Sequence, residues 1–274
     1  MKGITHGDIA FWDGEKYTPL APGTAGQYLQ TQGDNEDPQW ATVSSSASTD
    51  MPTINAIDTS SLSGVQAAYN FEGDVNDDSG NGLNLDTGVS AVNYVWAYNK
   101  QWAYAPNSRS WRRSSNDTEL AITGDLTIHC LFIPTRPITD TGDSIVEFSG
   151  SGETEATNYL YALYISGSTW LYFAETGAGT NIDHDFLVGS NQIPQLVTLV
   201  RSSNDVTLYV NGKASGTASS GESAPSGGTS AVLRLYANSS SQGMTCYYGG
   251  LVIQNTAMSA GDILDVAQQV GVAA

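Results

Sequence analysis

Hydrophobic and polar residues alternate over short segments along most of this 274-residue chain. Gly, Ser, Thr and Asn interrupt these segments about every ten residues, a pattern typical of antiparallel strands joined by turns. Only residues 260–270 carry apolar side chains at helical spacing. We therefore predict an all-β protein whose main strands cover residues 66–72, 93–105, 118–122, 126–134, 143–149, 158–166, 169–175, 195–201, 206–210, 231–236 and 245–254.

Two pairs of these strands are predicted to form hairpins. One pair is 158–165 with 170–175, around a short loop that contains glycine. The other is 196–201 with 206–210, followed by an Asn211-Gly212 turn. Glycine and asparagine accept the positive φ that tight hairpin turns require, so these turns favour antiparallel pairing.

Residues 93–105 contain the densest group of aromatic side chains. On a single extended strand, alternate residues share one face of the sheet. We interpret this face as core packing inside a sandwich; its aromatic residues are Tyr94, Trp96, Tyr98, Trp102 and Tyr104.

The chain divides into three parts by composition. Residues 1–44 form a small β-rich arm, residues 45–65 a Ser-rich linker and bridge, and residues 66–274 the large domain. Pieces shorter than about 40 residues rarely bury enough surface to fold alone. We therefore expect other molecules to cover the arm's large apolar side chains, which are Phe11, Trp12, Tyr17, Tyr28, Leu29 and Trp40.

Short sequence motifs in the arm carry a first resemblance. The arm contains a Trp-Asp-Gly turn at 12–14, then Pro-Gly-Thr-Ala-Gly-Gln-Tyr-Leu at 22–29 and Pro-Gln-Trp at 38–40. These motifs resemble a short β-motif of bacteriophage tail and fibre proteins. The resemblance implies an anchoring or trimer-forming region.

The large domain carries a second resemblance. A strand, a polar turn and then Val-Thr-Leu-Tyr-Val-Asn-Gly-Lys at 206–213 resemble the laminin-G-like, concanavalin-type jelly roll. Segments in the order that this family expects lie at 67–82, 124–133 and 248–264. The resemblance implies a two-sheet antiparallel sandwich. This fold carries lectins, adhesion modules, glycanases and inert scaffolds, so it leaves the function open.

The charge and hydropathy of the chain exclude some partners. Its net charge is −18, from 28 acidic and 10 basic residues, which repels a nucleic acid backbone. No apolar run reaches the roughly 20 residues that cross a bilayer, so we expect no membrane insertion. Cys130 and Cys246 are expected to be buried and reduced, in keeping with synthesis in a host cytoplasm.

Calcium is the one metal that the sequence suggests. Asp74, Asp77, Asp78 and Asn81 lie in a glycine-containing loop, and calcium takes six to eight oxygen ligands. Laminin-G-like domains often bind calcium in such a loop. The alternative is a turn stabilised by its own side-chain to backbone hydrogen bonds. We expect no other cofactor.

A basic cluster follows the aromatic segment. Arg109, Arg112 and Arg113 surround Trp111 in a chain that is otherwise acidic. A tryptophan flanked by cations could contact a sugar or an acidic partner surface. It could equally be an ordinary stabilising contact between arginine and an aromatic ring.

We expect no enzymatic activity. Glucanases of this fold place alternating carboxylates on one strand, about 5 Å apart. The nearest pattern is Glu153-Thr-Glu155, which lies in a glycine-rich, loop-like segment. No Gly-x-Ser-x-Gly motif supports a serine nucleophile.

These observations predict a bacteriophage virion structural protein, either a capsid decoration or head fibre or a tail fibre. In this hypothesis the arm makes a homotrimer or contacts other virion proteins, and the sandwich is displayed on the virion surface. A rival hypothesis is a carbohydrate-binding adhesin that recognises host surface glycans near Trp111 and the Asp-rich turn. A glycan depolymerase is the third alternative.

Overall fold

The computed structural model describes most of the chain, in two units. The residues described are 6–25, 27–42, 53–86, 92–105, 111–112, 117–134, 143–150, 159–166, 170–175, 178–182, 193–203, 205–219, 231–235 and 246–272. The first unit is Met1–Met51 and the second is Pro52–Ala274. In the described residues, no helix is long and apolar enough to cross a membrane.

The larger unit contains two antiparallel sheets, as predicted. The six-stranded sheet has the order β13-β12-β11-β10-β17-β8; its strands are β8 (Trp111–Arg112), β10 (Asp143–Gly150), β11 (Tyr159–Ser166), β12 (Trp170–Glu175), β13 (Ala178–Ile182) and β17 (Ala231–Leu235). The eight-stranded sheet has the order β16-β15-β14-β9-β18-β7-β6, with β5 also paired to β18. Its strands are β5 (Val65–Tyr69), β6 (Asn93–Ala97), β7 (Lys100–Ala105), β9 (Leu126–Pro134), β14 (Gln195–Ser202), β15 (Asp205–Val210), β16 (Lys213–Ser219) and β18 (Cys246–Gln254).

The main core lies between these two sheets. Alternate residues of β9 point inward, among them Ile128 and Phe132, and they pack with Phe148 of β10 and Leu233 of β17. This alternation follows from the two-residue period of a strand. Together with the antiparallel pairing, it confirms the predicted all-β jelly-roll sandwich.

Both cysteines belong to this core. Cys130 and Cys246 are free and fully buried, as expected. Burial raises the pKa of the Cys130 thiol well above its usual value, and the nearby Cys246 adds to the effect. Because the thiolate is the reactive form, this thiol is chemically inert.

The predicted hairpins pair as expected. In β11 and β12, Ser166 pairs with Trp170. In β14 and β15, Ser202 pairs with Asp205. The Asn211-Gly212 turn follows, with φ of 50° and 83°, as a tight hairpin between β15 and β16 requires.

A second apolar layer covers the outer face of the eight-stranded sheet. It contains the helix α1 (Ala260–Val270), which begins after the Ser259 cap and ends at Gly271 with a φ of 91°. Ile54 and Ile57 pack in the same layer. Residues 53–65, which belong to the predicted linker and bridge of residues 45–65, therefore contribute buried side chains to the larger unit.

The aromatic segment 93–105 is a hairpin, so the prediction of one continuous strand is wrong. Tyr98 and Asn99 have φ of 52° and 59° and form the two-residue turn that joins β6 to β7. A turn with positive φ at both residues reverses the chain tightly. The five aromatic side chains therefore do not share one face. Trp102 is fully buried in the outer layer, whereas Trp96 is 71% exposed.

The arm contains two small hairpins. β1 (Ile9–Trp12) pairs with β2 (Tyr17–Leu20), and β3 (Gln27–Gln30) pairs with β4 (Gln39–Thr42). The carboxylate of Asp13 accepts hydrogen bonds from the first turn and from Thr18.

The arm's predicted contact residues remain accessible. Exposed fractions are 57% for Trp12, 72% for Tyr17, 45% for Tyr28 and 43% for Leu29. Phe11 and Trp40 are half-buried, and the Trp40 indole Nε1 donates to the Ala21 carbonyl at 2.6 Å. Among residues 6–25 and 27–41, no residue is buried, so the arm has no core of its own in the part described.

Candidate functional site

An exposed tryptophan marks the edge of the eight-stranded sheet. Trp96 lies on β6, the edge strand next to β7. Of the large apolar side chains described in the larger unit, only Trp96 and Ile193 are exposed, at 71% and 43%. Edge strands commonly carry features that protect them or that bind a partner. Trp96 is therefore the starting point for a candidate binding surface.

Two polar side chains share the face of Trp96. Gln101 stands directly opposite Trp96 in the ladder between β6 and β7, and directly opposed residues lie about 5 Å apart on the same face. Tyr94 lies two residues before Trp96 and therefore projects from the same side. We call Tyr94, Trp96 and Gln101 the Trp96 surface.

An acidic loop, residues 72–81, borders this surface. A Cβ added to Gly73 would lie 3.5 Å from Oε1 of Gln101, so the loop reaches the Gln101 side chain. The pKa of Tyr94 is raised to about 12, first by burial and then by the charge of Asp74. Asp74 follows Gly73 in the loop, so the contact at Gly73 brings its carboxylate near the Trp96 surface.

An ion pair between the buried Lys100 and the exposed Glu72 fixes the start of the acidic loop. The Lys100 ammonium donates to Glu72 at 2.6 Å and to the Asn70 carbonyl at 3.0 Å. Burial lowers the pKa of Lys100, and the Glu72 carboxylate opposes this change. Since Lys100 is 2% exposed, its ammonium interacts with groups of the protein and not with solvent.

Asp77 organises the rest of the acidic loop. Its Oδ1 accepts from the amides of Ala68 and Ser79, both at 3.0 Å. Its Oδ2 accepts from the Ser79 hydroxyl at 2.8 Å and the Leu83 amide at 2.9 Å. These contacts correspond to the second interpretation of this segment, a turn held by its own side chains.

The other predicted calcium ligands also have local roles. Asp74 accepts from the Asn76 amide at 3.0 Å, and the Asn81 side-chain amide donates to the Gln66 carbonyl at 2.8 Å. Asp78 is exposed. Within the described residues, no group of three or more His, Cys, Asp or Glu side chains could hold a metal ion. Calcium binding stays a prediction that these contacts do not support.

Two residues of the predicted basic cluster lie on the other sheet. Trp111 and Arg112 form β8, where Trp111 pairs with Leu235 and Arg112 with Arg234. Arg109 and Arg113 lie outside the described residues. Trp111 and Arg112 are therefore at the edge of the six-stranded sheet, which is not the sheet that contains Trp96.

A cleft of 420 Å³ lies beside helix α1. Two of its carboxylates hold local structure: Asp58 accepts from the Ser60 amide at 2.8 Å, and Asp262 accepts from the Ser259 hydroxyl at 2.7 Å. Hydrogen bonds from Ser60 lower the pKa of Asp58. A turn and a helix cap thus account for these acidic groups.

His129 forms a buried polar network near this cleft. Its Nδ1 is 2.8 Å from the Thr198 hydroxyl, and its Nε2 is 3.1 Å from both Gln254 Oε1 and Met258 Sδ. Burial lowers the pKa of His129 to about 4, and a hydrogen bond with Gln254 partly offsets the shift. A neutral ring satisfies these partners, so His129 has a structural role.

The sequence alone assigns no function to Trp96. Its position among alternating aromatic residues predicted a core side chain, because the Tyr98-Asn99 turn contains no glycine or proline to mark it. The only available signal was the polar Asn99-Lys100 pair in the middle of the apolar segment. That pair separates Trp96 from the buried Trp102.

Several solved structures share the fold of this chain. The binding domain of Paraclostridial Mosquitocidal Protein 1 matches with a TM-score of 0.58 and 16% identity, over 75% of this chain and 52% of that chain. A second match is domain 4 of AbnA, a GH43 extracellular arabinanase from Geobacillus stearothermophilus, in complex with arabinotriose. Its TM-score is 0.58 and its identity 15%, over 75% of this chain and 98% of that chain. The binding domain of botulinum neurotoxin DC, in complex with rat synaptotagmin II, matches with a TM-score of 0.58 and 14% identity, over 76% of this chain and 52% of that chain.

These likenesses show a common sandwich fold. The chain spans about half the length of the two toxin structures, at 52% of each. No protein-family model matches the sequence, and no curated protein is significantly similar to it. The resemblances to laminin-G-like domains and to phage fibre proteins therefore stay predictions.

Proposed function

We propose that the larger unit is a glycan-binding module and that the Trp96 surface is its binding site. The observation that carries this proposal is the 71% exposure of Trp96 on an edge strand, beside an amide and a phenol on the same face. A flat indole offers an apolar platform for the C–H face of a sugar ring, and tryptophan is enriched where binding energy is concentrated.

The neighbouring polar groups match the needs of a sugar. The Gln101 amide provides donors and an acceptor, and the Tyr94 hydroxyl provides one donor and lone pairs. Sugar hydroxyls can use both kinds of partner. Asp74 follows Gly73, which lies against Gln101, and its carboxylate adds a charged acceptor near this surface. Hydrogen bonds to charged groups are the stronger class.

The fold supports the same proposal. AbnA domain 4, which shares the sandwich over 75% of this chain, was solved in complex with arabinotriose. Another structure with this fold, the botulinum neurotoxin DC binding domain, was solved in complex with SialylT, with a TM-score of 0.53. The fold therefore accommodates sugar sites, while the position of a site must come from each chain's own residues.

A glycan array tests this function directly. Trp96→Ala is expected to lower the affinity for any bound glycan by at least tenfold, because the platform is removed. Ile193→Ala is the control, since Ile193 is also an exposed apolar side chain of the larger unit, at 43%, but is not part of the Trp96 surface. Binding that survives Trp96→Ala at full strength, or no binding to any glycan, would contradict the proposal.

We further propose that the arm carries this module on a bacteriophage virion. In this proposal the protein is a capsid decoration, head fibre or tail fibre. The arm's exposed aromatic side chains and lack of any described buried residue favour an arm that is covered by two further copies of the chain or by other virion proteins. Light scattering on the full chain and on a chain beginning at Ser48 tests it: the full chain should be a trimer and the shorter one a monomer.

We propose that the module binds without cleaving. Reducing-sugar release from any bound glycan should stay at background. Turnover that Glu153→Gln abolishes would instead support a depolymerase.

The basic cluster of Trp111, Arg109, Arg112 and Arg113 remains an alternative contact region for a glycan. Trp111→Ala on the same array tests it.

A further inference from the structure

The charged groups that border the Trp96 surface are mostly of one sign. Asp74, Asp77 and Asp78 follow each other closely in the acidic loop. Burial raises the pKa of Asp78, and the charges of Asp74, Asp77 and Glu72 raise it further, against a backbone hydrogen bond at Asn70 that lowers it. These carboxylates are therefore close enough to act on one another.

The nearby positive charge of Lys100 does not neutralise the carboxylates of Asp74, Asp77 and Asp78. Lys100 is buried and its ammonium lies 2.6 Å from Glu72, so it compensates that carboxylate and leaves the others. Asp77 accepts four hydrogen bonds from the loop and from β5. These four bonds hold the Asp77 carboxylate in place.

We propose that the Trp96 surface takes neutral oligosaccharides and rejects glycans that carry a carboxylate, such as sialylated or uronate-containing chains. This inference rests on the proposed glycan-binding function. The acidic loop reaches Gln101 of the Trp96 surface at Gly73, so a sugar bound on Trp96 would lie near the carboxylate of the next residue, Asp74. A carboxylate on that sugar would meet like charge, and like-charge juxtaposition is an effective means of excluding a wrong partner.

The experiment uses the full chain and a matched panel. Each neutral oligosaccharide is presented beside its sialylated or uronate counterpart, and affinities are measured by calorimetry in about 10 mM salt, where screening acts over about 30 Å. The neutral member of a bound pair should bind at least tenfold more tightly. In about 1 M salt, where the screening length falls to about 3 Å, the ratio should approach one.

A double variant assigns the discrimination to the loop. Asp74→Asn with Asp78→Asn removes two charges and keeps the side-chain acceptor that Asp74 offers to the Asn76 amide. The neutral-to-anionic affinity ratio should fall at least fivefold. Asp265→Asn is the control, because Asp265 is an exposed carboxylate on helix α1, and it should leave the ratio unchanged.

The outcomes separate the two proposals. If no glycan binds, the glycan-binding function and the inference both fail. If anionic glycans bind as well as their neutral partners in low salt, the function stands and the inference is overturned. If the preference for neutral glycans is present but unchanged in the double variant, charge in the acidic loop is not its cause.

Discussion

The arm and the sandwich both contain large aromatic side chains, but the sandwich buries several of them in a core whereas the arm exposes them. In the sandwich, Trp102 is fully buried and Tyr69, Phe71 and Tyr248 form part of the core. In the arm, Trp12 and Tyr17 form an edge-to-face pair with ring centroids 5.3 Å apart, yet both are exposed.

The difference shows where the stability of each unit comes from. The sandwich buries apolar surface in two layers, between its sheets and under helix α1, and such burial is the dominant favourable term in folding. The described part of the arm has hairpin pairing, turn hydrogen bonds, the Trp12–Tyr17 ring pair and the Trp40 hydrogen bond to Ala21, but no buried residue. A two-stranded hairpin alone is marginal in water, so we expect the arm to need contacts beyond its own strands.

The largest expected effect comes from removing Trp102. Trp102→Ala should lower the free energy of unfolding of the sandwich by about 3–5 kcal/mol, through lost burial and the cavity left behind. The Trp102 ring packs over Gly249, where a Cβ would collide with it, and its Nε1 donates to the Ala97 carbonyl at 2.7 Å. Urea unfolding followed by circular dichroism measures the change.

Trp96→Ala is the control for this prediction. Trp96 belongs to the same hairpin but is exposed, so its removal should change stability by no more than about 0.5 kcal/mol. Equal losses from the two substitutions would mean that Trp96 is buried in solution, and the contrast between a core and a surface tryptophan would be lost.

The second prediction concerns acid. His129 has a pKa of about 4 in the folded protein, against about 6.5 when unfolded. Because the folded value is the lower one, the stabilisation is complete above pH 6.5 and is lost as the pH falls to about 4. The loss amounts to about 3 kcal/mol. It should be absent in His129→Gln, as unfolding free energies between pH 7.5 and 4 will show.

The arm should respond in a different pH window. The pKa of Asp13 is lowered to about 2 by hydrogen bonds from the Thr18 hydroxyl and from the amides of Lys16 and Glu15. Its contribution is complete above the usual value near 3.8 and is lost as the pH falls through 2. Amide signals of the first hairpin should therefore persist at pH 4. Their loss together with the sandwich signals would show that the two units are not independent.

The sequence predicted the parts of the sandwich that depend on local patterns. The last helix, the pairing of β14 with β15 and the Asn211-Gly212 turn all follow from periodicity and turn residues. The Tyr98-Asn99 turn was missed because tyrosine is rarely a turn residue and Asn99 is not followed by glycine. Trp96 was therefore predicted in the core, although it is exposed.

Long-range packing explains the other differences. His129 alternates with the residues that face the inter-sheet core, so a single strand predicts an exposed side chain. It is fully buried because Met258 and helix α1 cover the outer face of the sheet. His129 and Met258 are 129 positions apart in the sequence. No local pattern specifies a contact between such distant residues.

The smallest expected effect on stability belongs to the arm. Trp12→Ser with Tyr17→Ser should leave the unfolding of the sandwich within about 0.5 kcal/mol, because exposed side chains away from a core contribute little. The same double variant should convert the proposed trimer into a monomer, since a large exposed apolar patch typically marks an interaction site. Glu15→Ser, in the turn between these strands, is the control and should keep the trimer. A chain that is monomeric with its aromatic residues intact would show that copies of the same protein do not cover the arm. In that case, the proposal would require a different protein to supply the burial that the described strands of the arm lack.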